Sequence, residues 1–352
     1  MHVSIVIPTF NRSLLLPQTI SALAHQQTTP DLTYEVIFVS NGSSDNSDAI
    51  LREAVSQYPD KFRYFYIAPT GGPSAPRNVG IRAATGDVVI IMDDDVLPDP
   101  DHVLQHSEFH EKFPELHHAA MGELCVPEHM QRDPMSLFHA FDYAEVKHLD
   151  RLSYLHFWTC NVSLKRQFML ESGMFDESFL YYEDVLCGHK LAGNGMHLHF
   201  WPSARGQHLH QLKPTGLPSK GRFTGRWLYS FSERVPDPEA KRRFGIIAKD
   251  IGVPLILKRV LSRTAFRILD NPFTMTALRF LGATGGDRSR ISDLYYYIVF
   301  RRNVVAGYYQ AKREAEAGKR EPAPAERPEW VDRGEAYVLA STVNAGSPPE
   351  KK

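Results

Sequence analysis

Three consecutive aspartates at positions 93–95 are the residues of this 352-residue chain whose types and spacing most directly suggest chemistry. They follow five apolar residues, 88–92, and Pro98 and Pro100 come soon afterwards. A continuous apolar run of this kind predicts a strand buried on both faces of a parallel sheet, and the prolines predict that ladder pairing ends there. In open α/β sheets, ligands bind at the carboxyl ends of such strands.

An acidic cluster at that edge needs a compensating charge, because adjacent carboxylates repel one another and are costly to bury. Mg²⁺ or Mn²⁺ would use one or two of the carboxylates and complete its shell with phosphate oxygens and water. A solvated acidic turn is the simpler interpretation, and the three aspartates alone favour it. The rest of the chain shifts the balance towards a cation site.

A second pair of carboxylates, Glu183 and Asp184, stands between Tyr181-Tyr182 and an apolar helical pattern. This position predicts the N-terminus of a helix, where the helix dipole favours negative charge. Taken alone, the pair would be an ordinary N-terminal charge pair. Together with the aspartates upstream, it becomes a candidate for general acid–base chemistry.

The elements that must position these residues alternate between strands and helices. Apolar runs and amphipathic patterns predict strands at 3–8, 34–39, 62–67 and 88–92, and helices at 14–25 with Ser13 as N-cap, from the turn at 40–47 to Tyr58, and after Ala75. This order predicts parallel strands joined by crossover helices. Neither a P-loop nor a GxGxxG fingerprint occurs in this half, so a nucleotide would be held by other means, such as strand-end carboxylates with a metal ion.

The net charge of −1 hides an asymmetry between the two halves of the chain. Residues 241–320 carry 17 Lys and Arg against 6 Asp and Glu, whereas the rest carries 23 against 35. This balance predicts that the C-terminal part meets an anionic phospholipid surface or a lipid-phosphate acceptor, although helix solubility explains it equally well. Sequence patterns predict helices at 226–235, 253–269, 273–281 and 291–317, and a disordered tail at 321–352.

Three widely spaced cysteines, Cys125, Cys160 and Cys187, include no CxxC pair. They predict buried thiols in a reducing compartment, so we expect a cytoplasmic protein. No apolar run approaches the roughly 18–20 residues of a membrane span. Any membrane association would therefore be peripheral, at the cytoplasmic face, and we expect no nucleic acid partner.

Several segments, in matching order and spacing, resemble family 2 glycosyltransferases of the GT-A fold. They are VSIVIPTFNR (3–12), EVIFVSNGSSD (35–45), APRNVGI (75–81), GDVVIIMDDDVLPDP (86–100), GMFDESF (173–179) and YED (182–184). The resemblance implies a Rossmann-like α/β fold with a mixed, mostly parallel sheet flanked by helices and a helical C-terminal extension. A glycosyltransferase domain would span 1–230, with a nucleotide-binding half at about 1–100 and an acceptor half at 101–230, before the basic helical region at 231–320.

The resemblance also implies roles for individual residues. Asp95 would bind Mn²⁺ or Mg²⁺, Asp93 would contact the ribose or donor sugar, and Asp184 would be the general base, with Glu183 beside it. The nucleotide-sugar site would further include Pro8, Thr9, Asn11, Arg12, Ser40, Asn41, Arg77 and Asp94. Asn161 and Trp158 would lie on the acceptor side. A histidine after residues 201–204 would supply another metal ligand; His208 and His210 both fit, and we favour His208.

Several of these residues also have a simpler interpretation as structural or surface residues. Asn41 could form an Asx-turn, Arg77 could be a solvent-exposed helical arginine, and Asn161 could be a plain strand-edge residue. The family pattern Asp-Asp-Gly-Ser is here Ser-Asn-Gly-Ser at 40–43, which leaves the nucleotide base open between uracil, guanine and thymine. The QxxRW motif of processive members has Phe223 in place of Gln, which argues against a polymerising synthase.

The resemblance, together with these patterns, implies an inverting, metal-dependent glycosyltransferase. It would move one sugar from a nucleotide-diphosphate sugar to a glycan or lipid-linked acceptor hydroxyl, in surface polysaccharide or glycolipid assembly. A sugar-phosphate nucleotidyltransferase, a non-catalytic carbohydrate-binding relic and, more remotely, a glycosidase with paired carboxylates are the alternatives. The first of these would be expected to have a glycine-rich, lysine-bearing loop near the first strand, which residues 8–12 lack.

Overall fold

A mixed sheet forms the centre of the computed structural model, which describes residues 1–138, 143–209, 212–244, 271–283 and 288–318. Its strands are β1 (His2–Thr9), β2 (Thr33–Asn41), β3 (Phe62–Ile67), β4 (Val88–Met92), β5 (Val96–Pro98), β6 (His118–Cys125), β7 (Asn161–Lys165) and β8 (His197–His208). They are arranged in the order β3-β2-β1-β4-β7-β6-β8-β5. The expected mixed, mostly parallel sheet is confirmed.

The first four strands lie parallel to one another, as the alternation of strands and helices predicts. β4 is fully buried between β1 and β7, and β7 pairs with it in the antiparallel direction. β6 then pairs parallel to β8, with a register shift between Gly122 and Glu123. The carboxyl ends of β1, β2 and β4 therefore meet at one edge, directly before the three aspartates.

Helices cover the sheet and extend beyond it. They are α1 (Leu16–Ala24), α2 (Ser47–Gln57), α3 (Ser74–Ala83), α4 (His102–Lys112), α5 (Tyr143–Val146), α6 (Arg166–Glu171), α7 (Glu183–Gly193), α8 (Leu217–Arg234), α9 (Pro238–Arg243), α10 (Pro272–Leu278) and α11 (Arg290–Glu316). Within the described residues, no helix combines the length and apolarity that crossing a membrane requires.

Two local predictions were wrong. α1 begins at Leu16 rather than after Ser13, whose backbone N–H instead bonds the Asp45 carboxylate at 3.0 Å. Pairing also does not end at Pro98, because residues 96–98 form β5, antiparallel to β8. β5 is an edge strand, and an edge tolerates a residue that has no N–H to donate.

The long helices α8 and α11 pack with their backbones in close approach. A Cβ atom at Gly225 would collide with the carbonyl oxygen of Val304, and one at Gly307 would collide with that of Arg222. The absence of side chains at these glycines thus permits the contact. The predicted helix at 253–269 and the predicted tail at 321–352 lie outside the described residues.

The cysteines are free thiols, as expected, but they are not all buried. Cys160 and Cys187 are buried, whereas Cys125 is exposed at the end of β6. Cys125 is exposed because it is the last residue of its strand, where its Sγ donates to the carbonyl oxygen of Gly206.

Candidate active site

The three aspartates lie where β4 ends, and β8 brings a histidine to the same place. His208 is the last residue of β8 and stands opposite Val96 in the pairing with β5. The backbone N–H of Leu209 donates to the carbonyl oxygen of Asp95 at 2.8 Å. As a result, His208 Nε2 is 3.4 Å from Asp95 Oδ1, although the two residues are far apart in sequence.

Arg12, in the loop after β1, neutralises part of this acidic edge. Its Nε donates to Asp94 Oδ1 at 3.0 Å and its Nη2 to Asp95 Oδ2 at 3.4 Å. Asp94 also accepts from the backbone N–H of Phe10 at 3.3 Å. Asp94 is therefore held inside the protein by the loop after β1.

Arg77, on α3, joins the aspartates to the second carboxylate pair. Its Nη2 donates to Asp93 Oδ1 at 2.9 Å, and its Nη1 donates to Glu183 Oε1 at 2.7 Å. The guanidinium is buried and also lies over the ring of Phe175. The exposed-arginine alternative is therefore wrong, because the buried Arg77 connects Asp93 to Glu183, which lies 106 residues after Arg77 in the sequence.

The helix N-terminus predicted at residues 183 and 184 is confirmed, and its two carboxylates differ in setting. Glu183 is buried against Arg77, whereas Asp184 is only partly buried and accepts from the backbone N–H of Val185 at 2.7 Å. The preceding Tyr182 has φ 61°, in the left-handed region that residues with side chains seldom adopt. Such strain persists where the surroundings fix it and is concentrated at functional sites.

Burial and mutual repulsion raise the pKa of carboxyl groups across the site. Burial, with the neighbouring Asp95 charge, raises the pKa of Asp94 to about 7 despite Arg12. Burial, with the charge of Glu183, likewise raises the pKa of Asp184 to about 7. Burial opposes the charge of the Arg77 guanidinium, but Asp93 and Glu183 outweigh it and raise its pKa. The site has an excess of negative charge that a bound cation would relieve.

The donor atoms at this edge fit a hard divalent cation. Among the described residues, no group of three or more His, Cys, Asp or Glu is arranged to hold a metal ion by itself. Mg²⁺ normally takes one or two carboxylates and completes its shell with phosphate and water. Neighbouring ligand atoms of an octahedral Mg²⁺ lie about 3 Å apart, close to the 3.4 Å between Asp95 Oδ1 and His208 Nε2.

The other residues expected at the nucleotide mostly join the loops of the site to one another. Asn11, with φ 52°, accepts at Oδ1 from the backbone N–H of Ser44 at 2.7 Å. Asn41 donates to the carbonyl oxygen of Gly72 at 2.8 Å and accepts from the N–H of Thr70 at 2.9 Å. Pro8, Thr9 and Ser40 are buried beneath these loops. Asn41 therefore holds the 70–72 turn rather than forming a local Asx-turn.

The two residues expected to bind the acceptor lie in the interior. Trp158 packs against Tyr143, and its indole N–H donates to the carbonyl oxygen of Leu155 at 3.2 Å. Asn161 is fully buried, and its amide N–H donates to the carbonyl oxygen of Ala204 at 2.9 Å. Direct acceptor contact does not fit either environment, and neither does the strand-edge alternative for Asn161, since β7 lies between β4 and β6.

Sequence analysis missed a buried histidine ladder on α4. His102, His106 and His110 recur every four residues, a spacing that marks one helical face. His102 Nε2 and His106 Nε2 both lie 2.9 Å from Asn161 Oδ1. His106 Nδ1 and His110 Nε2 lie 2.8 and 2.9 Å from Ser163 Oγ.

One tautomer assignment satisfies every contact of the ladder. His102 and His106 donate from Nε2 to Asn161, Ser163 donates to His106 Nδ1, and His110 donates from Nε2 to Ser163. All three imidazoles are then neutral, in agreement with burial, which lowers the pKa of His102 to about 4 and that of His110 to about 3. The ladder docks α4 on β7 through Asn161 and Ser163.

Two further observations concern basic residues that the sequence analysis did not single out. His197 and His199 lie at the start of β8 and stack with His118, at the opposite end of the strand from His208. His210 lies outside the described residues. Lys220 on α8, which no sequence pattern marked, is buried, and the charge of Asp95 acts on it.

Comparison with known proteins identifies relatives of this chain. A family model described as Glycosyl transferase family 2 matches residues 4–166. Validoxylamine A glucosyltransferase of Streptomyces hygroscopicus subsp. limoneus is 30% identical over 227 residues, covering 55% of this chain and 48% of that protein. The chain spans about half the length of the curated relatives it matches.

Two solved structures have the same fold. Mannosyltransferase PcManGT from Pyrobaculum calidifontis, in complex with GDP-Man and Mn²⁺, gives a TM-score of 0.55 at 19% identity and covers 88% of this chain and 86% of that chain. S. aureus TarS 1-349 in complex with UDP gives 0.52 at 15% identity, with 90% and 92% covered. At these identities the likeness establishes the fold, and the predicted GT-A class is confirmed.

Proposed function

The chain belongs to glycosyl transferase family 2 through residues 4–166, and from that premise we propose that it is an inverting, metal-dependent glycosyltransferase. It moves one sugar from a nucleotide-diphosphate sugar to a hydroxyl of a glycan or lipid-linked acceptor. The observation that carries the proposal is the Arg77 bridge, which joins strand-end Asp93 to Glu183, the neighbour of Asp184. Donor-side and acceptor-side carboxylates thus belong to one ionic network.

Asp95 and His208 are the protein groups that would hold Mn²⁺ or Mg²⁺. Bound there, the ion supplies Lewis-acid stabilisation of the charge that develops on the leaving diphosphate. Asp93, whose side chain is 31% exposed against 5% for Asp95, faces outwards and would contact the ribose or the donor sugar. Arg12 and Arg77 hold the remaining carboxylates in place, so the site needs little rearrangement as charge develops.

Asp184 is the general base in this proposal. It takes the proton of the acceptor hydroxyl as that oxygen attacks the anomeric carbon, and the bond from that carbon to the diphosphate oxygen breaks with its electron pair. One such displacement inverts the anomeric centre. Asp184 is suited to this role because it is partly exposed, whereas Glu183 is buried and bound by Arg77. Glu183 is therefore a positioning residue rather than the catalytic partner expected from the sequence.

The donor and acceptor classes follow from relatives and from the site. The neighbouring structures contain UDP or GDP-Man, and named relatives include a poly(ribitol-phosphate) beta-glucosyltransferase and chondroitin synthases. These names support a role in surface polysaccharide or glycolipid assembly. Single-sugar transfer is supported by Phe223, which replaces the glutamine of the processive motif and packs against Tyr181 and Trp227.

Peripheral membrane contact through the basic C-terminal region belongs to the same proposal. On α11, Arg301 and Arg302 accompany exposed apolar side chains, which include Leu294, Val305 and Tyr309. Basic and apolar groups together suit an anionic lipid surface. Sedimentation with anionic and with neutral vesicles tests this: the full chain should pellet with the anionic vesicles alone, and equal recovery with both would contradict it.

One assay tests the activity. The protein is incubated with Mn²⁺ and a panel of UDP-, GDP- and dTDP-sugars, and released nucleoside diphosphate is measured. Release from one donor should disappear with a chelator and in Asp95→Ala, and Cys125→Ser, an exposed change away from the carboxylates, is the matched control. Failure to release nucleoside diphosphate from any donor, or formation of pyrophosphate from a sugar phosphate and a nucleoside triphosphate, would contradict the proposal.

A further inference from the structure

The connector between α6 and α7, residues 172–182, leads directly to the carboxylates of α7 and has an unusual backbone. Gly173, Met174 and Tyr182 all lie in the left-handed region, with φ of 82°, 53° and 61°. Because Met174 and Tyr182 carry side chains, this conformation is unfavourable for them and persists only where the surroundings hold it. The position of Glu183 and Asp184 therefore depends on the groups that bind this connector.

Asn78, on α3, binds the connector from a buried position. Its Nδ2 donates to the carbonyl oxygen of Phe175 at 3.0 Å and to Glu177 Oε1 at 2.9 Å, and its Oδ1 accepts from the backbone N–H of Phe175 at 3.0 Å. The residue is only 2% exposed. Since a backbone carbonyl group accepts and a backbone N–H donates, the contact with Phe175 requires both functions of an amide. Neither an aspartate nor an apolar residue of similar size provides both.

The hydrogen bonds of Asn78 fix the residue that supports Arg77. The ring of Phe175 lies against the Arg77 guanidinium, with 5.4 Å between Cζ and the ring centroid. Arg77 in turn donates to Glu183, the neighbour of Asp184, at 2.7 Å. A contiguous set of contacts thus joins Asn78 to the proposed general base through Phe175 and Arg77.

The connector is also bound further along its length. Ser74 Oγ, on α3, donates to the carbonyl oxygen of Phe179 at 3.2 Å. The ring of Phe179 contacts Trp227 of α8, and Arg234, at the end of α8, pairs with Asp176 at 3.0 Å. Both α3 and α8 therefore hold the segment that leads to the general base.

Resting on the proposed function, we infer that Asn78 is a positioning residue for the general base. Its amide fixes the connector, so that Asp184 keeps the place from which it takes the proton of the acceptor hydroxyl. The donor diphosphate is bound by other groups, around Asp95. Loss of the amide should therefore slow transfer far more than it weakens nucleotide binding, since a misplacement of about 1 Å can cost roughly 10²-fold in rate.

The first test separates turnover from binding. Titration calorimetry with Mn²⁺ identifies which of UDP, GDP and dTDP binds the wild-type protein most tightly. Asn78→Ala should lower kcat by about 10- to 100-fold, while its Kd for that diphosphate stays within about threefold of the wild-type value. Asn303→Ala is the matched control and should keep the wild-type kcat. Asn303 is likewise a buried asparagine on a helix, α11, and it donates to the carbonyl oxygen of Val299 and accepts from Arg222.

A second test examines the same contact by rescue. Asn78→Asp keeps the acceptor for the Phe175 N–H, but it loses the donor and places a second carboxylate against Glu177. Adding Glu177→Gln replaces this repulsion with a hydrogen bond from an amide to a carboxylate, so the double variant should have a kcat at least about threefold above that of Asn78→Asp. This comparison also decides the inference if Asn78→Ala fails to fold.

Three results would overturn the inference while leaving the proposed function intact. They are a wild-type kcat in Asn78→Ala, an equal loss of kcat and of nucleotide affinity in that variant, and no recovery of kcat in the double variant. A wild-type protein that releases no nucleoside diphosphate from any donor sugar would overturn the proposed function, and the inference with it.

Discussion

Arg77 is the residue on which the connection between the two carboxylate groups depends. Its removal leaves Asp93 and Glu183 close together without a counter-charge. Breaking a buried ion pair from one side costs about 3–5 kcal/mol, so Arg77→Met should lower the free energy of unfolding by about that amount in urea denaturation. Adding Glu183→Gln removes one of the two unpaired charges, so the double variant should regain more than about 1 kcal/mol of unfolding free energy relative to Arg77→Met. If the losses of unfolding free energy in the two single variants simply add in the double variant, Arg77 and Glu183 do not interact and the bridge is contradicted.

Substitution of Asp184 should impair catalysis without changing nucleotide binding. Asp184→Asn removes the base but keeps the shape of the side chain, so kcat should fall by roughly 10²- to 10⁴-fold, while the Kd for the nucleoside diphosphate remains unchanged in titration calorimetry. Glu171→Gln, an exposed substitution at the end of α6, is the control. Unchanged turnover in Asp184→Asn would exclude this residue as the base.

The raised pKa of Asp184 also predicts the direction of the pH dependence. A base must be deprotonated, and burial with the Glu183 charge raises the pKa of Asp184 to about 7. Because kcat/KM reports the protonation state of the free enzyme, it should rise with pH through about 7 and level off about one pH unit higher. A kcat/KM profile that is flat from pH 5 to pH 8 would show that the catalytic base does not have this raised pKa.

At the residue scale, sequence analysis located the charged groups but not their partners. The strand-end aspartates and the helix-terminal pair follow from local patterns, and His208 follows from the family resemblance. The ion pairs of Arg77 depend on contacts between α3, β4 and α7, which no local pattern encodes. Asn161 was misassigned for the same reason, because its partners lie on α4 and β8.

At the element scale, the neutral histidine ladder makes the docking of α4 on β7 sensitive to acid. Burial lowers the pKa of His110 to about 3, against an unfolded value of about 6.5. The unfolded chain therefore binds more protons between these values, and stability falls as pH drops below about 6.5. At pH 5 this single group should cost about 2 kcal/mol relative to neutral pH.

Comparison with His110→Leu isolates this contribution, since other groups of the protein also titrate in that range. Unfolding free energies measured at pH 7.5 and pH 5 should differ by about 2 kcal/mol more in the wild type than in the variant. The opposite ordering would mean that His110 is charged in the folded protein. Far-ultraviolet circular dichroism checks that the variant keeps its fold.

The contact between α8 and α11 gives a second prediction for elements. A side chain at Gly225 has no room against the Val304 carbonyl group, so Gly225→Val should separate the helices and cost at least about 1–3 kcal/mol in thermal or urea unfolding. Gly193→Ala, at the end of α7, meets nothing within 4 Å and is the control. Equal stability of the two variants would contradict the close helix packing.

Elements with a simple hydrophobic pattern were predicted closely, and those set by tertiary contacts were not. β3 and β4 match their predicted bounds, and α11 differs from the prediction by one residue at each end. β5 could not be predicted because its pairing partner, β8, is about a hundred residues away in sequence. Likewise, α8 begins nine residues before the predicted start, where Lys220 and two glycines give little helical signal.

At the scale of the whole molecule, the topology explains how distant segments form one site. The parallel strands β1 and β4 end at the same edge of the sheet, which places Arg12 next to the aspartates. The antiparallel pairing of β5 with β8 places His208 beside Asp95. α3 and α7 then contribute the Arg77–Glu183 bridge. The GT-A class was predictable from the motifs that resemble family 2 glycosyltransferases, whereas the alternation of strands and helices predicted only the parallel first half of the sheet. The assembly of the helical extension was not predictable from either.

The central claim is that a divalent cation at Asp95 and His208 binds the donor diphosphate at this edge. The most direct measurement is anomalous diffraction at the manganese edge from crystals grown with Mn²⁺ and the tightest-binding nucleoside diphosphate. The account predicts one manganese peak about 2.2 Å from a carboxylate oxygen of Asp95, with the diphosphate on the same ion. Manganese and diphosphate bound together elsewhere, with Asp95 still paired to Arg12, would contradict it.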